Sequence, residues 1–181
     1  MRFEDRFGDY ELRCLYEGDW KQVLDFYYAN RESFDKYEAR KADNFYTENF
    51  IRQTLLAEHR ASLRDEYVRY FLFSKKDAER IIATMSFANI RRGTVNSCII
   101  GYKVDKDYRR LGIASAMIRE GIKIMHEDER VHRVEAYIHP DNEASLGLVE
   151  KLGFKDEGWA YSYTVIRDEH EDFRRFTYIC N

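Results

Sequence analysis

The period of the apolar residues changes at Val104, and that change constrains the fold more than any other feature of the chain. Before it, Val68–Ser74, Arg80–Asn89 and Ser97–Val104 are rich in β-branched and aromatic residues, with turn signals at Lys75-Lys76-Asp77 and Arg92-Gly93. Three such runs in close succession predict an antiparallel meander. After it, helix and strand periods alternate. Ile113 to about Glu127 is amphipathic through Ile113, Met117, Ile118, Gly121, Ile122 and Met125, and Arg133–Ile138 reads as a strand. Asn142–Leu152 reads as a helix ended by Gly153, and Lys155–Val165 and Phe173–Ile179 are long enough to pair as a closing hairpin.

Upstream, Tyr10–Leu15 reads as a short strand. Asp19 is placed to cap a helix to about Asn30, and a second helix is expected from about Asn44 to Arg64. The order β-α-α-β-β-β-α-β-α-β-β describes a mixed α/β fold, a largely antiparallel sheet flanked by helices. The only proline is Pro140, and no Gly/Ser linker or repeat interrupts the 181 residues, so one domain, 1–181 with its core at about 10–179, is expected.

Composition narrows the class. With 44% hydrophobic and 35% charged residues the chain is an ordinary globular mixture, and no apolar run is long enough to span a membrane. The opening MRFEDRFGDY carries charges where a secretion signal needs its apolar stretch, so a cytoplasmic protein is expected. Cys14, Cys98 and Cys180 form no CxxC pair or Cys/His cluster, so neither a metal site nor a disulfide framework is expected. The net charge of −3 argues against a nucleic-acid coat. Between Ile90 and Arg133 ten Lys/Arg face six acids, +4, which leaves −7 elsewhere; that distribution suits an anionic cofactor and a cationic acceptor.

The chemistry concentrates where the strand ending Gly101-Tyr102-Lys103-Val104 meets Arg109-Arg110-Leu111-Gly112-Ile113-Ala114. A buried strand ends, a charged loop follows, and a glycine turn opens an amphipathic helix. Unpaired backbone N–H groups and the positive end of the helix dipole then converge on one point, a seat for a phosphate or pyrophosphate. Gly112 lets backbone approach the oxygens, small Ala114 keeps the next turn clear, and Arg109 and Arg110 can add charge-assisted bonds. Neither GxxxxGK[ST] nor GxGxxG occurs, so P-loop and classical dinucleotide readings fail.

Arg109-x-x-Gly112-x-Ala114 after Gly101-Tyr102-x-Val104 resembles the acetyl-CoA pyrophosphate loop of the GNAT N-acetyltransferases. The run from His139-Pro-Asp-Asn to Leu-Gly-Phe154 is similar to their second cofactor segment. His132-Arg133, Asn142-x-x-Ser145 and Lys155-Asp-Glu-Gly158 resemble the RimJ/RimL branch, the ribosomal-protein-alanine N-acetyltransferases and their relatives. The resemblance covers about Tyr10 to Ile179 and is strongest from Asn89 to Tyr163.

It implies a GNAT fold, acetyl-CoA as the acyl donor, and direct attack of a neutral primary amine, foremost a protein N-terminal α-amine. Val104 would offer backbone hydrogen bonds to the pantetheine arm from a strand splayed away from its neighbour. The implied cofactor contacts are Tyr102 and Val104 on the strand; Arg109, Arg110, Leu111, Gly112, Ile113, Ala114 and Ser115 in the loop and helix start; and Asn142, Ser145 and Lys151 beyond. Asn142 and Ser145 would sit near the pantetheine and the thioester sulfur. A strand N–H would polarise the carbonyl oxygen, and separate groups would take the ammonium proton and protonate the thiolate.

The chain departs from the family where acid–base chemistry is expected. Cys98 and Tyr137 occupy positions of the usual glutamates, and Val149 that of the usual tyrosine donor. Ser145 is left as the candidate for the leaving sulfur, with Asn142 beside it. Glu135, on the same strand face as Tyr137, is a candidate base or acceptor contact, and also reads as an ion-paired strand residue. His139 before Pro140 reads as an exposed turn residue. The aromatic crowd from Phe26 to Tyr46 reads as core or dimer surface, which leaves a homodimer open, and some of it could line an acceptor cleft. Two other functions stay open: acetylation of a small-molecule amine (polyamine, amino acid or aminoglycoside), and a non-catalytic acyl-CoA-binding sensor or interaction module. The first is separated from a protein acceptor by the shape of the cleft, since an open groove admits a peptide end and a closed acidic pocket a small cation.

Overall fold

Strand β3 (Val68–Ser74) is apolar on both faces, and the computed structural model, which describes residues 1–166 and 168–180, shows why. Tyr70 and Leu72 face one hydrophobic core, Phe71 and Phe73 a second on the opposite side of the sheet. A strand covered on both faces reads as a continuous apolar run rather than an alternation.

Among the described residues the sheet has eight strands: β1 (Glu4–Phe7), β2 (Tyr10–Arg13), β3, β4 (Asp77–Arg91), β5 (Ser97–Val104), β6 (Arg133–Ile138), β7 (Lys155–Ile166) and β8 (Glu169–Ile179). Their spatial order is β1-β2-β3-β4-β5-β6-β8-β7, and every neighbouring pair is antiparallel except β5 and β6. Helix α1 (Trp20–Ala29), the short α2 (Arg31–Phe34) and α3 (Glu48–Ser62) cover one face through Val23, Phe26, Phe34, Ile51 and Leu55. Helices α4 (Ile113–Glu127) and α5 (Glu143–Leu152) cover the other through Met117, Ile118, Val149 and Leu152. The expected mixed α/β architecture is therefore observed. Among the described residues no helix is long and apolar enough to cross a membrane.

Several boundaries differ from expectation for local reasons. The charged strand β1 carries no apolar alternation, and only its pairing with β2 across a turn at Gly8 reveals it. Helix α3 begins at Glu48, not Asn44, because Thr47 is its cap and accepts from Phe50 N at 3.3 Å. Asp19 does not cap α1 with its side chain; its carboxylate accepts from Tyr16 N at 2.8 Å in the preceding turn. Strand β8 starts at Glu169 rather than Phe173 because its first residues pair with the end of β7. Gly153 takes the left-handed conformation that ends α5, φ +92°. Cys14, Cys98 and Cys180 are free thiols, and burial pushes all three up, Cys14 to about 12 and Cys180 to about 11.

Candidate functional site

The one parallel pair among the described residues is also where the sheet opens. Strands β5 and β6 pair only at Ser97–Arg133, Cys98–Val134 and Ile99–Glu135, and then run on to Val104 and Ile138 without meeting. A cleft of about 1240 Å³ passes through this split, lined on one side by the start of α4 and of α5 and on the other by the segment after α1. Buried Asn30 holds the loop after β5 in place. Its Nδ2 donates to Phe26 O at 2.9 Å and Asp105 Oδ2 at 3.2 Å, and its Oδ1 accepts from Lys106 N at 2.8 Å.

The loop then forms an anion cradle. Arg110 and Gly112 both take left-handed backbone, φ +60° and +78°, so the chain curls as a nest around its own N–H groups. Gly112 is the N-cap of α4 and brings no capping side chain, which leaves the first amides of the helix open. A Cβ on Gly112 would point into empty space, the room a phosphate needs. The helix dipole adds to the attraction. Gly112, Ile113, Ala114, Ser115 and Arg110 line the cleft here, while Leu111 is turned out to solvent and does not. Arg109 lines it as well, but its guanidinium is turned back onto the loop, donating to Ser33 Oγ at 2.7 Å and approaching Val104 O at 3.5 Å. It braces the cradle from behind.

Helix α5 borders the split. Asn142 caps it, accepting from Ser145 N at 3.3 Å, and both residues line the cleft together with Lys151. Across from them stand Tyr102 and Val104 of β5. The Tyr102 hydroxyl is buried beside Ser145, and burial pushes the phenol up. Val149, one helical turn beyond Ser145, is fully buried in the core.

The far mouth is walled by a chain of rings. Tyr37 meets His139 at 5.5 Å, His139 meets Phe173 edge-on at 5.5 Å, Phe173 meets Tyr163 at 5.3 Å, and Tyr163 stacks on Tyr137 at 4.1 Å. The Tyr37 hydroxyl donates to Asp141 O at 3.0 Å, so the segment after α2 is tied across the mouth to the start of α5. His139, expected as an exposed turn residue, is instead largely covered, with its side chain 13% exposed. Its Nδ1 accepts from Asp141 N at 3.1 Å, which places the ring proton on Nε2, 4.0 Å from Glu171. Lys103 meets Glu38 at 2.5 Å, and Lys41 meets the same carboxylate. Burial would raise the Glu38 pKa, but the two ammonium groups outweigh it and hold the carboxylate below its usual range.

Glu135 does not line the cleft. It is buried and bonded to Arg133 Nε at 2.8 Å and to the Tyr137 hydroxyl at 2.9 Å. Burial pushes it up, and Arg133 and Tyr137 more than reverse that, so it stays a paired anion. Nor is acid in excess at the far mouth: Lys36, Arg69 and Lys103 line it with Glu38 and Asp141, Arg69 is paired with Glu58 and Lys103 with Glu38, so the −7 balance outside the cradle segment is not concentrated there. Sequence reasoning missed Asn30, Glu38 and Lys103, and placed Tyr37 only within the aromatic crowd that could line an acceptor cleft. Their partners lie 65 to 104 residues away, and no local pattern marks them.

Residues 10–155 match the model of the acetyltransferase (GNAT) domain. The chain is 30% identical over 161 residues to a probable N-acetyltransferase, YjcK, of Bacillus subtilis, covering 89% of this chain and 88% of that protein. It is 26% identical over 162 residues to the [ribosomal protein uS5]-alanine N-acetyltransferase of Escherichia coli, covering 89% and 82%. The crystal structure of the ribosomal-protein-S5-alanine acetyltransferase from Vibrio fischeri superposes with a TM-score of 0.90 at 26% identity, over 97% of this chain and 96% of that one.

Proposed function

The chain belongs to the GNAT acetyltransferase family, and from that premise we propose that it moves the acetyl group of acetyl-CoA to the N-terminal α-amine of a protein, a ribosomal protein foremost. The observation that carries this reading is the split between β5 and β6, which joins an open amide cradle on one side to a separate acceptor mouth on the other. The names of the Escherichia coli and Vibrio fischeri relatives support the choice of acceptor.

The residues present fit the donor. The cradle from Arg110 to Ser115 offers backbone N–H groups to a diphosphate, with Lys151 and Arg110 near enough to add charge. Val104 and the cap of α5 flank the path of the pantetheine arm into the split. Acetyl-CoA supplies an acyl group activated as a thioester. Unpaired β5 and β6 backbone in the split can polarise the carbonyl, as an oxyanion hole does. Asn142 fixes the start of α5, and so the place of Ser145, which would stand near the sulfur of bound acetyl-CoA. Glu135, held in its ion pair and away from the cleft, is not the base; the ammonium proton leaves through water at the far mouth.

A small-molecule acceptor is the second reading, favoured by the Tyr37–Asp141 tie across the mouth. The mouth offers no cluster of unpaired carboxylates for a polyamine or aminoglycoside, which leaves a free amino acid, whose carboxylate could meet Lys36. The test is thiol release from acetyl-CoA with peptides bearing a free N-terminus, the same peptides Nα-blocked with a free lysine, and small amines. The protein's own thiols are held protonated by burial, so they react slowly with the thiol reagent. Release with free-N-terminus peptides alone is the expected result. Release only with small amines overturns the acceptor assignment, and acetyl-CoA binding without release to any amine establishes a sensor instead.

A further inference from the structure

The Tyr102 hydroxyl is buried, and among the described residues it finds no hydrogen-bond partner of ordinary geometry. Buried hydroxyls are nearly always paired, because an unmade hydrogen bond away from water is a net cost to the fold. Here the ring is held by the core on the α4 side of the sheet, and the hydroxyl is left facing Ser145 at the edge of the split.

The geometry gives that orphan a counterpart. A donor anchored by its diphosphate at the start of α4 presents its acyl group to the far mouth only by threading the opening between β5 and β6. On the cradle side of that opening, Tyr102 and Ser145 are the hydroxyls that stand over the path from β5 and α5. Val149, the next α5 residue on that face, is apolar and fully buried, so it supplies no donor.

We propose that Tyr102 is a catalytic residue whose O–H donates a hydrogen bond to the sulfur that leaves during acetyl transfer, an inference that rests on the acetyl-transfer reading above. As the amine nitrogen bonds to the carbonyl carbon, the C–S bond breaks and its electron pair goes to sulfur. The charge developing on sulfur is met by the Tyr102 O–H, a dipole whose direction is fixed by the packed ring. The proton shed by the nitrogen passes to water, the sulfur takes one from water, and Tyr102 keeps its own. Burial, by pushing the phenol up, keeps that hydrogen in place throughout the working pH range.

The test is Tyr102→Phe in the full chain, which keeps the ring and removes only the hydroxyl, whose side-chain neighbour is Ser145. Turnover is expected to fall by about 100-fold, the usual cost of losing one such donor, with acetyl-CoA affinity by calorimetry within about threefold of the parent. A second readout does not need the acceptor: the thiol of bound CoA, titrated by the ultraviolet absorption of its thiolate, should ionise about one pH unit higher in the variant, a tenfold loss of thiolate stabilisation. Turnover within about threefold of the parent, or an unshifted thiol titration, overturns the proposal. So does loss of CoA binding, which would make the hydroxyl a cofactor ligand. If the parent acetylates no amine, the acetyl-transfer reading fails, and the thiol titration still decides for or against Tyr102.

Discussion

Asn30 joins three segments with one side chain: the end of α1, the carboxylate of Asp105 and the backbone of Lys106. Asn30 and Asp105 are 1% and 4% exposed, so water cannot replace either partner. Asn30→Leu leaves a buried carboxylate oxygen and a buried-side amide without their bonds. It should cost roughly 2–4 kcal/mol in urea unfolding. Because Lys106 opens the loop that leads to the cradle, the variant should also bind acetyl-CoA more weakly. A loss under about 1 kcal/mol with unchanged binding would show that the loop is held by other contacts. Nothing near Asn30 in sequence announces this role, since its helix-ending position alone explains an asparagine there. Gly112 was legible for the opposite reason: a left-handed turn before an amphipathic helix is a local pattern, written within six residues.

At the scale of elements, the meander, α4, β6 and the start of α5 were readable because each has its own period and its own stop signal. Strand β1 and helix α2 were not, because three of the four residues of β1 are charged and α2 simply continues past the end of α1. The split between β5 and β6 was implied only by the family resemblance, since both strands carry ordinary strand composition to their ends. How closely α4 lies on β4 was also hidden in a single residue. A Cβ at Gly121 would overlap Met85 Sδ and Cε and crowd Phe87, and both of those side chains are fully buried. Gly121→Val should therefore force α4 away from the sheet and lower stability by about 2–3 kcal/mol, read as a drop in thermal midpoint. If the midpoint holds, the Met85 end has room to swing aside. The movement should also reach function, because α4 carries the cradle at its first turn.

For the whole molecule, charge is arranged in pairs rather than in fields. Glu38 between Lys103 and Lys41, Glu135 against Arg133 and Glu157 against Arg133 and Arg175 are all held below the ordinary carboxylate range. A carboxylate whose folded pKa is depressed contributes stability that is fully present above its unfolded pKa of about 4.3. That contribution is lost as pH falls through the lower folded value, where both states are protonated. The thermal midpoint should thus fall steeply between about pH 4.3 and pH 3, and Glu38→Gln should flatten the slope. An equal slope in parent and variant would mean that the Glu38 clasp adds nothing to the fold. The same pairing explains why the overall charge balance of the sequence misled about the acceptor mouth: the excess acid is dispersed, and at the mouth itself lysine and arginine are matched by Glu38 and Glu58.

Acetyl transfer here depends on the cradle at the start of α4, so the most direct measurement is calorimetric titration of acetyl-CoA into the parent protein and into Gly112→Trp, with circular dichroism to confirm that both are folded. The indole would fill the space that a Cβ on Gly112 opens toward. The parent is expected to bind one equivalent and the variant none. Equal binding by two folded proteins would place the donor somewhere other than this helix end, and the acetyl-transfer geometry built on it would be wrong.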